Sequence, residues 1–575
     1  MNLSRREFLQ MLAAASAAGF PLAGQAQTAA KGPANPYDVP RFGNVSFLHY
    51  TDAHAQLLPV YFREPSINLG VASMKGQPPH LVGDHFLKYY GIQPGSLDAH
   101  AFTYIGFSEM ARKYGKIGGF AHLRTLVKNL KASRPGALLL DGGDTWQGSA
   151  TSLWTNAQDM VDAQLLLGVD VMTPHWEMTF GADRVKEIIE NDFADKIDFV
   201  AQNVVDTDWN ERVFKPYVIK EQNGIPVAII GQAFPYTPIA NPRYMVPQWS
   251  FGIRDEAMQQ AVDEARAEGA QIVVVVSHNG MDVDLKMASR VTGIDAILGG
   301  HTHDAVPRPV QVKNAGGKTL VMNSGSNAKF LSVLDLQVKN GKITDYRYKL
   351  LPVFANLIEP DKEMAAYIDK VRAPHLAKLN EELAVTDELL YRRGNFNGTF
   401  DQLICDALLE VQDAQIAFSP GFRWGVSVLP GEPITFDHVM TQTAITYPNV
   451  TRNELSGEML KTILEDVADN LFNEDPYYQQ GGDMVRVGGL KYAIDPTKTI
   501  GNRITDMSLG GKPIDPKKNY VVAGWASVQE VPAGDTGVPV WDVVSDYLRS
   551  KKVIKQVELN TPVLKGVGSN PGIAT

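Results

Sequence analysis

Ala296-Ile297-Leu298-Gly299-Gly300-His301-Thr302-His303 decides the reading of this chain. A short apolar strand stops at two glycines, and two imidazoles follow at a spacing of two. Four other stretches end the same way, with an apolar run meeting a metal-type donor. Val45 to His49 precedes Thr51-Asp52-Ala53-His54, and Ala137 to Leu140 precedes Asp141-Gly142-Gly143-Asp144. Val169 to Thr173 precedes Pro174-His175, and Ile272 to Ser277 precedes His278-Asn279. Further apolar runs lie at Phe199 to Gln202, Val227 to Gly231 and Thr319 to Asn323, with helical stretches at 118–133, 157–167 and 253–268. Short strands alternating with helices predict an α/β fold whose sheets are buried under helical layers. In such folds the chemistry gathers at the carboxyl ends of strands. One Asp or His after a strand is ordinarily a cap or a turn residue. Five such turns on one sheet edge call for another explanation.

Asp52, His54, Asp144, His175, His278, His301 and His303 are carboxylates and imidazoles, the donors that divalent first-row metals prefer. Seven of them hold two ions if Asp144 bridges. Two metals about 4 Å apart activate a shared water and clamp the oxyanion opposite it. The chain has one cysteine, Cys405, which excludes zinc ribbons, iron–sulfur clusters and an internal disulfide. Its place in the helical pattern Phe400 to Val411 makes it core.

The 575 residues carry 44% hydrophobic and 21% charged side chains, the proportions of a globular protein of several domains. A net charge of −10 argues against nucleic acid as a partner. Ser4-Arg5-Arg6-Glu7-Phe8-Leu9-Gln10, the apolar run Met11 to Gly24 and the small residues before Ala26 resemble a twin-arginine (Tat) signal over 1–26. That implies a folded, exported, periplasmic protein. Residues 27–44 read as a linker, and 45–358 as the metal-binding domain. Within it, 57–115 is an irregular insertion without sustained period, long enough to suggest a function. A charged linker helix over 359–383 (Asp361 to Glu382, broken at Pro374) leads to a second α/β unit, 384–575, with strands near 415–418, 485–494 and 520–525.

Asp52-x-His54, Gly143-Asp144, the turn to Glu177, Ser277-His278 and Gly300-His301-x-His303 occur in an order that resembles the calcineurin-like dimetal phosphoesterases. Gly118-Gly119-Phe120-Ala121 narrows the resemblance to the periplasmic 5′-nucleotidases. It covers nearly all of 44–575. It implies an α/β, two-domain fold: a metallophosphoesterase β-sandwich flanked by helices, then a smaller C-terminal substrate domain.

One departure matters. The nucleotidases carry Gly-Asn-His-Glu-Phe-Asp-x-Gly, where this chain has Pro174-His175-Trp176-Glu177-Met178-Thr179-Phe180-Gly181. The ligand Asn is His175, still a competent donor. The catalytic His is Trp176, which donates a hydrogen bond but delivers no proton. The Asp that orients it is Thr179. An alkoxide leaving group needs that proton, whereas a thiolate, with a pKa of about 8.5, leaves unaided. The Tat-like signal, the His-Trp-Glu stretch and the insertion before Gly118 resemble the SoxB family of thiosulfohydrolases. That resemblance implies two Mn2+ ions bridged by Asp144. It also implies, as substrate, a cysteine-bound thiosulfonate on the SoxY carrier of a SoxYZ complex, with sulfate released. The acidic charge and the lack of a later run of ~18 apolar residues predict no nucleic acid or membrane partner.

Trp176, Arg423 and Asn279 are the candidate catalytic groups, Asn279 as a neighbour of His278. Arg423 closes Phe418-Ser419-Pro420-Gly421-Phe422-Arg423, in place of the nucleotidase loop Asn-x-Gly-Gly-x-Arg, and is suited to binding a sulfonate bidentately. Arg393, and with it Arg392, is a second candidate for the same oxygens. Tyr477 and Tyr478 fall where nucleotidases place a stacking ring, and suit equally the wall of a channel for a peptide arm. Asn203 reads as a turn residue, and His49, His80, His85, His100, His122, His375 and His438 receive no role. Two rivals remain: an ordinary 5′-nucleotidase or cyclic phosphodiesterase, opposed by Trp176 and Thr179, and a non-catalytic scaffold, opposed by the complete donor set.

Overall fold

The computed structural model describes residues 35–555 and 557–574, so the signal read at 1–26 lies outside the described residues. Two six-stranded sheets form the first domain. Sheet one contains β1 (Val45–Tyr50), β2 (Leu138–Asp141), β3 (Val171–Met172), β4 (Asp198–Phe199), β11 (Phe330–Lys339) and β12 (Lys342–Pro352), in the order β12-β11-β1-β2-β3-β4. Sheet two contains β5 (Tyr217–Gln222), β6 (Ile225–Gln232), β7 (Ile272–Ser277), β8 (Ala296–Gly299), β9 (Val310–Asn314) and β10 (Gly317–Asn323), in the order β9-β10-β8-β7-β6-β5. The donor-bearing strands pair in parallel within their sheets, β1 with β2, β2 with β3 and β7 with β8, so their carboxyl ends share an edge.

The two-residue alternation of a strand explains the layering. Val45 and Phe47 of β1 meet Ile229 of β6 and Val274 and Val276 of β7 between the sheets. The alternate residues Leu48 and Tyr50 pack under the helix Phe120–Ser133. On the far side Ala228, Ile230, Val273 and Val275 lie beneath the helices Asp255–Ala267 and Met281–Arg290. Both faces are buried, so the strands read as continuous apolar runs, each large side chain contributing about 1.5–3 kcal/mol. Gly119, at φ +87, turns the chain into the helix Phe120–Ser133 where an added Cβ would lie 2.8 Å from Pro59.

The second domain centres on the helix Thr399–Val411, with Cys405 fully buried, and on a five-stranded sheet. Its strands run Arg486–Gly488, Ile416–Ser419, Asn519–Trp525, Asn449–Ser456 and Asp535–Pro539 in sheet order. The linker is shorter than its charged pattern suggests. The helix Lys362–Arg372 breaks at Pro374, one further turn spans Leu376–Leu379, and Glu382 already opens a strand, Glu382–Thr386.

The insertion is not irregular throughout. It carries three helices, Gly83–Tyr90, Leu97–Phe102 and Phe107–Tyr114, which bury Phe86, Phe102 and Tyr114 against Phe330, Leu350 and Phe354. It also joins the two domains. Ser427 N donates to Tyr61 O (2.7 Å) and Leu69 N to the Asn395 side chain (2.6 Å). The chain's last described residues close over the insertion, Asn68 N donating to Gly572 O and Ala574 N to Ser66 O. Among the described residues no helix is long and apolar enough to cross a membrane.

Candidate metal centre

Each donor sits one to four residues beyond a strand. Asp52, His54, Asp144, His301 and His303 all have positive φ, between 46° and 73°. Non-glycine residues rarely adopt that conformation, and it persists only where the surroundings impose it. Gly300 lets the turns interlock, since a Cβ there would lie 2.2 Å from Thr51 Oγ1.

The turns bring seven donors together in two buried groups that share Asp144: Asp144, His175, His278 and His301, and Asp52, His54, Asp144 and His303. Within each group the donor atoms lie within 4.8 Å of one another. Asp144 Oδ1 is 3.0 Å from His175 Nδ1, and its Oδ2 is 3.0 Å from His278 Nε2. His54 Nε2 faces His303 Nε2 at 3.0 Å, and Asp52 Oδ1 lies 3.2 Å from the latter. Two imidazole nitrogens face to face beside carboxylates, with His301 Nδ1 buried and unpartnered, fit cations better than a hydrogen-bond network. Charge points the same way. Burial disfavours a charged His278, yet Asp144 and Asp52 outweigh it and hold the ring up to about 10. Burial and then neighbouring positive charges, Arg423 among them, push His301 and His303 well below the usual range. The residues fit a dimetal site.

Glu177 escaped the sequence reading as a functional residue. Its buried carboxylate accepts from His175 N and Thr145 N, each at 2.7 Å, and from Asp144 N and Trp146 N, each at 3.3 Å. It therefore ties the Asp144 turn to the His175 turn. Burial, aided by the nearby Asp144, pushes its carboxyl up to about 7. The sequence offered only an acid two residues after a donor; what it ties together shows in the fold alone.

A cavity of about 430 Å³ opens beside both donor groups, with Trp176, Phe234, Phe422, Arg423 and Trp424 in its wall. Trp176 packs edge-on against Trp424 (5.3 Å) and Phe422 (5.6 Å), while its backbone N donates to Asp144 Oδ1 at 2.8 Å. Phe422 and Trp424 stack on each other at 4.0 Å. The second domain reaches the metal donors directly. His301 Nε2 lies 2.9 Å from Gln480 O, and Gly481 is so close that a Cβ would meet the same nitrogen at 2.3 Å.

Several sequence candidates lie elsewhere. Tyr477 and Tyr478 do not line the cavity: the Tyr477 hydroxyl donates to Asp255 (2.5 Å) under Lys286, and Tyr478 is 64% exposed. The three-residue helical turn Pro476–Tyr478, packed on Met281–Arg290, carries both rings away. Asn279 does not line this cavity either, but a smaller void. It donates to Asp284 (3.0 Å) and accepts from Gln232 (2.9 Å), supporting the turn of His278 from behind. Arg393 lies beside a small void on another side of His303, its Nη2 on Thr302 O at 3.4 Å. Arg392 is held within the second domain by Asp401, Trp424 O and Gln442 O. Asn203 braces a turn through Ala233 and Gly252. Arg423 does line the cavity.

A 5′-nucleotidase C-terminal domain model matches residues 383–534. Rat 5′-nucleotidase is 23% identical, covering 76% of this chain and 84% of its own. Protein UshA of Yersinia enterocolitica is also 23% identical, over 77% of this chain and 88% of its own. Among solved structures, a 5′-nucleotidase precursor from Thermus thermophilus superposes with a TM-score of 0.73 at 22% identity, covering 91% of this chain and 99% of that one. Sulfate thiohydrolase SoxB of Thermus thermophilus, in complex with glycerol, superposes with a TM-score of 0.87 at 38% identity, covering 92% and 98%. A helix-flanked sandwich with a two-metal donor set, closed by this second domain, defines an enzyme of the 5′-nucleotidase-like metallophosphoesterase superfamily. Within that superfamily the chain belongs to the SoxB family.

Proposed function

We propose that this enzyme is a periplasmic thiosulfohydrolase, exported by its twin-arginine signal. It releases sulfate from a cysteine-bound thiosulfonate on a SoxY-type carrier. The observation that carries the reading is the absence of a spare proton donor among the described residues of the cavity wall. Its imidazoles and Asp144 are metal donors, Asp483 is held by arginines, and Trp176 occupies the position of the expected catalytic histidine. Arg423 and Tyr447 remain, one permanently charged and the other pushed well above the usual tyrosine range by burial. Such a wall suits a leaving group that departs as a thiolate or persulfide.

Two divalent cations would be held by the seven donors and would supply Lewis acidity and an acidified water. Mn2+ fits a set of carboxylates and imidazoles without thiolate. The chain's own residues do the rest. Glu177 fixes two donor turns, Arg423 holds the sulfonate oxygens, and the Trp176–Trp424–Phe422 wall excludes water from the departing sulfur. Water oxygen would bond to the sulfonate sulfur as the S–S bond breaks. The S–S electron pair would leave on the carrier's terminal sulfur as a persulfide anion, and the water's two protons would pass to solvent, leaving sulfate. The discriminating measurement is kcat/KM for sulfate release from a thiosulfonate-loaded carrier, set against AMP hydrolysis by the same Mn2+-loaded protein. The expected result is turnover of the carrier with little of AMP. Comparable or faster AMP hydrolysis would return the enzyme to the nucleotidases.

A further inference from the structure

We propose that Asp483 is a positioning residue that aims Arg423 at a tetrahedral oxyanion in the cavity, an inference that rests on the thiosulfohydrolase reading for the identity of that anion. Arg423 has three nitrogens, and two are tied. Nη2 donates to the Gly482 carbonyl and Nε lies 3.5 Å from Asp483 Oδ1. Nη1 is buried and has no partner. The side chain is thus clamped on one side and left with an open donor, in a residue that lines the cavity beside His301 and His303.

The clamp is itself anchored. Arg486 Nη2 holds Asp483 Oδ2 at 3.0 Å, Asp401 Oδ2 holds Arg486 Nε at 3.1 Å, and Arg392 Nε closes the chain on Asp401 Oδ1 at 2.8 Å. Three guanidiniums share two carboxylates in a buried row, and Arg393 stands 4.0 Å from Asp483 as a fourth. A row with more cations than carboxylates is costly to bury unless an anion completes it. Arg392 Nη2 and Arg393 Nε are also open, but of these three residues only Arg423 lines the cavity. A carboxylate 3.5 Å from Nε holds the planar fork in one orientation, so that binding an oxyanion there costs little ordering.

The probe is inorganic sulfate, titrated calorimetrically into the metal-loaded full chain. Metal content and far-ultraviolet dichroism serve as checks on folding. Asp483→Asn should weaken sulfate binding about tenfold or more, the loss expected for a hydrogen bond to a charged group. In turnover it should raise KM by a similar factor while kcat changes little. Placed on Arg423→Ala, the same substitution should add nothing, because Asp483 acts through Arg423. Arg423→Lys keeps the charge but loses the fork, and should weaken sulfate to a similar extent. Wild-type affinity in Asp483→Asn, or an undiminished effect in the Arg423→Ala background, would overturn the proposal. So would wild-type affinity in Arg423→Lys, which decides the matter even if Asp483→Asn does not fold. Sulfate binding needs no turnover. A protein that follows this pattern but does not act on a thiosulfonate refutes the proposed activity and leaves the role of Asp483 intact.

Discussion

Trp176 is the residue on which the chemistry turns, and its surroundings make it testable. Its backbone is bound to Asp144 and its ring forms a wall of the cavity, while Thr179, three residues on, has a buried hydroxyl without a partner. Replacing Trp176 by His and Thr179 by Asp rebuilds a donor with an orienting carboxylate. A positioned general acid contributes typically 10²–10⁴-fold, so AMP hydrolysis should rise measurably in the double variant and less in Trp176→His alone. Turnover of the sulfur substrate should fall as the indole wall is lost. Steady-state kcat/KM on both substrates for the three proteins checks this, and no gain on AMP would count against the leaving-group argument. At this scale the donors were legible because each follows its own apolar run. Glu177 and Asp483 were not, because their partners Thr145 and Arg423 lie 32 and 60 positions away. The direction of the Tyr477 ring is not legible either, because the packing of one short turn sets it.

Among the elements, the linker helix Lys362–Arg372 shows how one residue fixes a junction. Asp361 caps it by accepting from Met364 N at 3.1 Å, and meets Arg124 and Lys128 of the helix beneath. Burial raises the Asp361 carboxyl, but the Met364 amide, Lys128 and Arg124 outweigh it and hold the group at about 2. The folded value lies below the unfolded one of about 3.9, so the cap's contribution is complete above pH about 4 and is lost as pH falls toward 2. Asp361→Ala should cost about 0.5–2 kcal/mol at pH 7, and the difference from wild type should shrink on acidification. Urea unfolding at pH 7 and pH 3 reads both. The helix itself was legible from its charged, periodic pattern. Its end was not, because Glu382–Thr386 is a strand only through its pairing with Pro433–Thr435 and Val553–Ile554. The helices of the insertion, six to eight residues each, are too short for periodicity to reveal.

Over the whole molecule, the two-domain plan follows from the sequence. The tie between the domains does not, because its partners lie far apart in sequence and several are backbone groups that no side-chain pattern announces. Residues 66–82 of the insertion receive four hydrogen bonds from or to 570–574: Asn68 N to Gly572 O, Val82 N to Pro571 O, Ala574 N to Ser66 O, and the Asn570 side chain to Gly70 O. At about 0.5–1.5 kcal/mol each, a chain ending at Lys565 should lose roughly 2–6 kcal/mol. Its thermal transition should fall accordingly, and an unchanged transition would refute the seal. Asn570 and Gly70 are 500 residues apart in sequence. At about 5–20 residues per second, a ribosome needs roughly 25–100 s to make the stretch between them. Throughout that interval the insertion lacks these four bonds. A nascent chain that has not yet reached Asn570 therefore lacks these bonds, and its insertion should be cut by proteases sooner than in a chain that carries 570–574.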